Sequence, residues 1–430
     1  MLATRTQPMV AIIIPSHNEP DEAIVRSICS AQNQEYDAFQ VWVADDLNQA
    51  SVRTLTESHG CHYASTNNRG RAKAGNLNDL LERLSGVKYI VVLDVGDLLY
   101  PNFLKETIAL LEGDEELAFV QARSLPGNTD AIQESLGMRH DLPAGKLRRR
   151  LSEVLFGNRY QLCTGSAFII RRSMLDQIGG FPWQSVADDY LLTLLVHEHG
   201  GQSVRSSEVL AQVPYAEGLW NFLMQQVRWM IGSMQVLSML VLSKVTLRSR
   251  FTIARMTLTH FFESLNLISI ALPLLFLLFG PHSDHVVWLS LLAATIVLTV
   301  GARVVCAISR RQTFWWLTVY STLAAWPLAK GFLSFVSNRW GQKFRKTNKE
   351  KERSSERPNE RILLGPLVTY LVAYVLSVTY FAWNFPGLLR GIGPYVVLLL
   401  LWVLYNLVAI VHSMLICGNA SKAASAHTKF

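Results

Sequence analysis

Residues 10–19 read Val10-Ala11-Ile12-Ile13-Ile14-Pro15-Ser16-His17-Asn18-Glu19, an apolar, β-branched run that stops abruptly in polar residues. A short unbroken apolar run bounded by such a stop is the pattern of a strand covered on both faces. Three further runs repeat it: QVWVA at 40–44, YIVVLD at 89–94 and LAFVQA at 117–122. Helical periodicity fills intervals between them, over 21–33 and 76–85. Strands alternating with helices predict an α/β domain with a mainly parallel sheet and helical crossovers. In such sheets ligands bind beyond the carboxyl ends of the strands. The residues to inspect are therefore Ser16 to Glu19 after the first run, Asp45-Asp46 after the second, and Asp94 with Asp97 after the third. Any one of these alone reads as a helix cap. Acidic or amide groups after three successive strands point to a site.

That domain does not account for the whole chain. At 430 residues the length suits two domains, and half the residues are hydrophobic while only 17% are charged. Residues 1–255 read like a water-soluble unit, and 256–430 hold nearly all the long apolar runs. A disordered chain, a disulfide-stapled mini-protein and a purely cytosolic enzyme are excluded. The five cysteines, Cys29, Cys61, Cys163, Cys306 and Cys417, are scattered without CxxC spacing, so neither a disulfide framework nor a zinc site is indicated. The first fifteen residues lack a signal-peptide core, which predicts a chain that starts in the cytosol. The net charge of +7 reads as basic loops retained on the cytosolic side of a membrane, with no nucleic-acid partner expected.

Apolar stretches at about 258–280, 286–308, 314–336, 364–384 and 394–417 are each long enough to span a bilayer as helix. Five spans would place segment 341–361, with eight Lys/Arg against four Glu, on the outside. Making 314–336 interfacial, where Pro327, Lys330 and its tryptophans suit the headgroup level, returns that segment to the cytosol. The expectation is four spans (258–280, 286–308, 364–384, 394–417), one interfacial helix and a cytosolic loop at 341–361.

Within 1–255 the sharpest motif is Gln225-Gln226-Val227-Arg228-Trp229, a QxxRW pattern. On a helix Gln225 and Arg228 share a face with Trp229 beside them. Arg binds phosphate in a fork and Trp offers a flat stacking surface, a plausible diphosphate and sugar site. An amphipathic helix near a membrane, with Arg snorkelling and Trp at the interface, explains the pentapeptide equally well.

The pieces taken together resemble a membrane-embedded family 2 glycosyltransferase, of the processive type that includes bacterial cellulose, curdlan and hyaluronan synthases. In order, the chain has Asn18-Glu19 after the first run, Asp45-Asp46, Lys73-Ala74-Gly75-Asn76-Leu77-Asn78, Asp94-Val95-Gly96-Asp97, Thr164-Gly165-Ser166, Ala187-Asp188-Asp189 and QxxRW. Phe344-Arg345-Lys346-Thr347-Asn348-Lys349 is similar to the FxVTxK gating loop, with Lys346 in place of Val. The resemblance implies a GT-A-like nucleotide-sugar-binding domain followed by a helical transmembrane domain. It implies Asp189 as general base for the acceptor hydroxyl, and Asn18, Glu19 and Asp45 or Asp46 on uracil and ribose. Lys73 would sit near the phosphates, and Thr164, Gly165, Asp188, Gln225, Arg228, Trp229, Thr347 and Lys349 would line the substrate.

A divalent cation, Mg²⁺ or Mn²⁺, would be held by Asp94. The family's second aspartate is Gly96 here, so Asp97 is the expected substitute; as a local reading, Asp97 caps a helix over 101–112 instead. Asp188-Asp189 without the resemblance likewise reads as a helix cap. His17, His197 and His199 do not make a metal site, since His197 and His199 are two apart on a helix and cannot share a face. Asn419-Ala420-Ser421 matches a glycosylation acceptor but falls in a tail placed in the cytosol.

The implied activity is an inverting transferase of the inner membrane with its catalytic domain in the cytosol. It would use a UDP-sugar, UDP-glucose first, to extend a β-linked glycan. A non-processive transferase to a lipid acceptor and an inactive scaffold of an export complex are the alternatives. Members of that group carry membrane helices ahead of the catalytic domain, whereas the first strand here begins near residue 10. Other subunits of an export complex, or a second copy, are therefore expected as partners alongside the donor, the glycan and the bilayer.

Overall fold

The computed structural model describes residues 7–65, 72–129, 132–133, 159–216, 218–264, 266–279, 285–310, 314–338, 360–384 and 394–427. The N-terminal unit runs β1 (Val10–Ser16), α1 (Asp21–Gln32), β2 (Phe39–Asp45), α2 (Ala50–Ser58), β3 (His62–Ser65), α3 (Ala72–Leu81), β4 (Tyr89–Val92), β5 (Leu98–Leu99), α4 (Phe103–Gly113) and β6 (Leu117–Pro126). It continues with β7 (Phe168–Arg171), α5 (Arg172–Ile178), α6 (Asp188–Glu198), β8 (Gln202–Val213) and α7 (Leu219–Leu240). All four strands expected from the apolar runs are present.

The strands form one sheet in the order β3-β2-β1-β4-β7-β6-β8-β5. The first four are parallel, with Val10 opposite both Phe39 and Tyr89. Beyond β4 the sheet is mixed, because β7 runs antiparallel to β4 and β6, and β5 antiparallel to β8. The mainly parallel expectation therefore holds for one half of the sheet only. Successive strand residues face opposite sides. Val10, Ile12 and Ile14 pack under α1, α2 and α4, against Ile24, Ile28, Val52, Phe103 and Leu104. Ala11 and Ile13 pack on the other face against Leu77 and Leu80 of α3, Leu175 of α5 and Val196 of α6. Cover on both faces is why the β1 run is unbroken, and truncating Ile12 to Ala would cost about 2–5 kcal/mol.

Helices then follow: α8 (Leu247–Ser264), α9 (Asn266–Phe279), α10 (His285–Arg310), α11 (Phe314–Ser337), α12 (Glu360–Asn384) and α13 (Pro394–His427). Among the described residues two segments, Ile362–Asn384 and Val397–Asn419, are long and apolar enough to cross a membrane. They coincide with two of the four expected spans. The stretch 258–280 falls on α8 and α9, and 286–308 on α10. The stretch 314–336, expected to be interfacial, falls on α11. Trp316 to Ala325 are buried, and the helix lies between α7 on one side and α12 and α13 on the other. Its second half is less covered, with Trp326, Leu333 and Val336 exposed. Segment 341–361 apart from its last two residues, and with it Thr347 and Lys349, lies outside the described residues.

Candidate active site

The carboxyl ends of β1, β2 and β4 deliver the expected residues to one edge of the sheet. After β1, Glu19 Oε2 accepts from the His17 amide at 2.6 Å and from Ser16 Oγ at 3.2 Å. Asn18, at φ +132°, is in a backbone region that non-glycine residues rarely occupy, and its Oδ1 accepts from Gln49 Nε2 at 3.2 Å. His17 Nδ1 lies 2.6 Å from the Asp46 carboxylate, joining the ends of β1 and β2. Asp45 does not face this edge. Its carboxylate is fully buried and accepts from the Leu47 and Gln49 amides and from the Tyr63 hydroxyl at 3.0 Å. It fixes the β2–α2 turn, and only Asp46 of the pair remains for a nucleoside.

After β4 the chain turns at once. The Asp97 amide donates to the Asp94 carbonyl at 3.0 Å, with Gly96 at φ +95° inside the turn. A tight turn with a positive φ at its third residue favours glycine there. That is a local reason for Gly96 where a second aspartate was expected. The Gly96 amide donates to Ser27 Oγ at 2.9 Å. Asp97 does not replace the missing aspartate at the surface. It is buried, and its Oδ2 accepts from Ser166 Oγ at 2.5 Å, while that same Oγ accepts from the Asp94 amide at 2.8 Å. Asp97 thus braces Asp94 through Ser166. It does not cap α4, which begins after Asn102 without a side-chain cap.

Asp94 is the carboxylate that remains accessible. Lys73 of α3 donates to its Oδ1 at 2.5 Å and to the Gly165 carbonyl at 2.6 Å. Burial pulls the Lys73 ammonium down, but Asp94 and Asp188 more than offset it and hold it above its ordinary value. The rest of the Lys73–Asn78 motif is scaffolding. Asn76 Nδ2 donates to the Ala44 carbonyl at 2.5 Å, and Asn78 takes both the amide and the carbonyl of Phe181.

Thr164 is exposed, and its amide donates to Gln121 Oε1 at 2.9 Å. Gly165, at φ +86°, lies against Asp189, whose Oδ2 would sit 3.2 Å from any Cβ placed there. Asp188 and Asp189 open α6, and each accepts from the next backbone amide. Burial pushes the Asp188 carboxyl up, with Lys73 and Arg228 opposing. Burial and the adjacent Asp188 charge push Asp189 up to about 7. Arg228 reaches this pair from α7, so QxxRW is joined electrostatically to the two aspartates. A small, open pocket is lined by Lys73, Cys163, Gly165, Phe181, Asp188 and Asp189 among others.

Two residues without a local signal hold α7 there. At Gly232 a Cβ would lie 2.3 Å from Ala187 Cβ, and Gln235 Oε1 accepts from Ser185 Oγ and the Val186 amide, both at 3.0 Å. Gln225 and Trp229 lie on the same helix, half-buried. His197 is a core residue: it is buried, stacks edge-on against Tyr160, bonds Ser203 Oγ, and is depressed to about 4 by burial. Among the described residues no three carboxylate, histidine or cysteine groups converge to hold a metal by themselves.

Sheet, turn and carboxylate cluster together make a GT-A-like α/β domain with its polar residues gathered at one sheet edge. Residues 11–179 match the family described as Glycosyl transferase family 2. The chain is 27% identical over 353 residues to the cellulose synthase catalytic subunit [UDP-forming] of Pseudomonas fluorescens, covering 80% of this chain and 47% of that protein. It is 28% identical over 289 residues to cellulose synthase 2 of Novacetimonas hansenii, covering 65% of this chain and 18% of that protein. The chain therefore spans less than half the length of these relatives. Among solved structures, a mannosyltransferase from Pyrobaculum calidifontis in complex with GDP-Man and Mn2+ superposes with a TM-score of 0.48 at 15% identity, covering 96% of this chain and 88% of that one.

Proposed function

We propose that the protein is an inverting, membrane-bound glycosyltransferase that moves a sugar from a UDP-sugar, UDP-glucose first, onto the end of a β-linked glycan. The observation that carries this reading is Asp189, a half-buried carboxylate raised to about 7 that lines one pocket with Lys73 and Asp188 and feels the charge of Arg228. A general base serves best when its pKa lies near the working pH. Asp189 takes the proton of the acceptor hydroxyl as that oxygen attacks the anomeric carbon, and the bond from that carbon to UDP breaks. A single base with no second nucleophile gives one displacement and inversion. Lys73 and Arg228 supply positive charge to the departing diphosphate. Asp46, Asn18 and Glu19 flank the nucleoside, and Gln225 and Trp229 lie on the acceptor side.

Mg²⁺ or Mn²⁺ fits the residues present in one way. Asp94 is a half-exposed carboxylate, and such ions are commonly held by one or two carboxylates plus substrate phosphates. Bound there, the ion would neutralise charge on the leaving group. The Gly96 departure does not favour an inactive scaffold, because the turn itself calls for glycine at that position.

Two long apolar helices and their exposed apolar residues support membrane association. The inner membrane, a cytosolic catalytic unit and substrate contacts from Thr347 and Lys349 belong to the same reading, as do partner subunits of an export complex or a second copy. The test is incubation of the purified chain with radiolabelled UDP-sugars and Mg²⁺ or Mn²⁺. Radiolabelled polymer supports elongation. Labelled glycolipid would move the acceptor to a lipid, and release of neither product overturns the proposal.

A further inference from the structure

Among the described residues of the N-terminal unit, Trp183 is the one exposed phenylalanine, tyrosine or tryptophan, at 47%. Large aromatic side chains are mostly withdrawn from water, and one left out among polar groups marks a contact site. The loop that carries it, between α5 and α6, is held at both ends. On one side the Phe181 amide donates to Asn78 Oδ1 at 2.7 Å, and its carbonyl accepts from Asn78 Nδ2 at 2.8 Å. Gly180, at φ +94°, lies so close that a Cβ there would sit 2.5 Å from Asn78 Oδ1. On the other side Ser185 Oγ and the Val186 amide both donate to Gln235 Oε1 at 3.0 Å. Between these clamps only Trp183 and Gln184 are exposed, and the Trp183 amide donates to Gln184 Oε1 at 2.9 Å. Fixed backbone, not a loose loop, presents the indole.

Position and chemistry identify what the indole meets. Phe181 and Pro182, the two residues before it, line the pocket together with Asp188 and Asp189. Trp183 therefore stands on the turn that leads to the carboxylate assigned to the acceptor hydroxyl. A β-linked glucose ring carries its hydroxyls around the rim and only C–H groups on its two faces. A flat indole covers such a face, while amides bond the rim. Gln184 supplies an amide whose oxygen accepts from the Trp183 backbone and whose NH2 group can still donate. A side chain seated in lipid keeps different company, since interfacial segments gather several apolar residues with cations. The exposed side chains that flank Trp183 in sequence, Ser173, Asp176, Gln177 and Gln184, are all polar.

We propose that Trp183 and Gln184 form a carbohydrate subsite at the mouth of the reaction pocket, where the indole stacks on a ring of the β-linked glycan behind the one that reacts. The subsite rests on Asp189 acting as the base, and it goes further by favouring a glycan chain over a single sugar as acceptor. A ring that does not react is held equally in the ground state and the transition state. Its binding therefore lowers the acceptor concentration needed and leaves the barrier to transfer unchanged.

The experiment titrates the full chain, reconstituted in phosphatidylcholine vesicles, with a radiolabelled β-linked glucose tetrasaccharide in the presence of UDP, so that binding is read without turnover. Trp183→Ala, Trp183→Phe and Asp189→Asn are compared with the parent. The expected result is tetrasaccharide binding about tenfold weaker in Trp183→Ala and within about threefold of the parent in Trp183→Phe, which keeps an aromatic face. UDP affinity should stay within about twofold of the parent throughout. Asp189→Asn should bind the tetrasaccharide like the parent. If Asp189→Asn keeps transfer while Trp183→Ala still loses the glycan, the base assignment falls and the subsite stands. Tetrasaccharide binding by Trp183→Ala equal to that of the parent overturns the proposal, and so does a parent that does not bind it. Parallel loss of UDP affinity would make the indole a prop of the pocket and overturns it too. Bimane on Trp183→Cys that is quenched by a nitroxide lipid, and not relieved by the tetrasaccharide, would assign the face to the bilayer with the same consequence.

Discussion

At the residue scale the site turns on how three aspartates divide their labour. Asp189, raised to about 7 against an ordinary 3.8, binds a proton in the folded chain over a range where the unfolded chain has lost it. Folding is therefore favoured by that group at low pH, and the advantage fades as pH rises through about 7. Asp189→Asn should accordingly be as stable as the parent near pH 4 and more stable above about 7, read by thermal melting across pH. The same change should cut transfer by about a hundred- to ten-thousand-fold while UDP binding persists. Parental turnover that rises through about pH 7 would fit the base, and a variant keeping most activity would remove Asp189 from that role. Asp97 predicts a different signature. Asp97→Asn should lower the melting temperature, since it weakens the Ser166 brace, yet leave the Mn²⁺ concentration needed for UDP binding unchanged. A shift in that concentration as large as Asp94→Ala produces would restore Asp97 as a metal ligand. Gly96→Asp, which rewrites the turn as DxD, should cost about 1 kcal/mol or more at φ +95° and gain no activity. A rise in transfer would show that the second carboxylate was the missing element.

At the element scale the decisive contact is α7 on the turn that opens α6. With 2.3 Å between an added Cβ at Gly232 and Ala187 Cβ, and 2.7 Å to the Ala187 amide nitrogen, backbone must shift. Gly232→Ala should destabilise by about 1–3 kcal/mol and lower transfer by moving Asp188 and Asp189 relative to Arg228, seen as a lower melt together with lower turnover. An unchanged melt would mean the turn yields freely. Nothing in the sequence near residue 232 announces this contact, because it joins positions 45 apart through packing alone. The same reason separates the strands that were legible from those that were not. β1, β2, β4 and β6 each contain a short apolar run that is largely buried. β5 is two residues long, and β8 mixes Ser, Arg and Glu with its apolar positions. The motifs were legible as residues that would gather, and Lys73 and Asp94, 21 positions apart, do meet at 2.5 Å. The carboxylates of Asp45 and Asp97 turn inward to satisfy backbone and hydroxyl donors, which spacing cannot reveal.

At the scale of the whole molecule one apolar core runs from the carboxylate turn to the membrane-type helices. Val186 beside Asp188 packs with Phe222, Met230 and Met234 of α7, these with Trp316 and Tyr320 of α11, and these with Leu367 of α12 and Ile416 of α13. Trp316 and Tyr320 stack at 5.1 Å with Phe222 edge-on to both, and the Tyr320 hydroxyl donates to Gln226 Oε1 at 3.4 Å. Close-packed interiors transmit displacement because they have little free volume to absorb it. The turn of α7 that carries Arg228 is thus wedged between the active-site pocket and α11. Gly331 of α11 permits that approach, since a Cβ there would meet Val227 Cγ1 at 2.8 Å and Met230 Cε at 2.9 Å. Gly331→Val should push α11 from α7 beside Arg228 and lower the maximal rate, though residue 331 belongs to neither the nucleotide edge nor the carboxylate pair. UDP binding should stay within about twofold of the parent, because the β1, β2 and β4 edge is carried by a separate core. Measuring turnover and UDP affinity in the reconstituted chain separates the outcomes. A fall in rate with retained affinity supports coupling through α7. Unchanged rate and affinity would show that Val227 and Met230 move aside, leaving the catalytic unit indifferent to how the membrane helices pack.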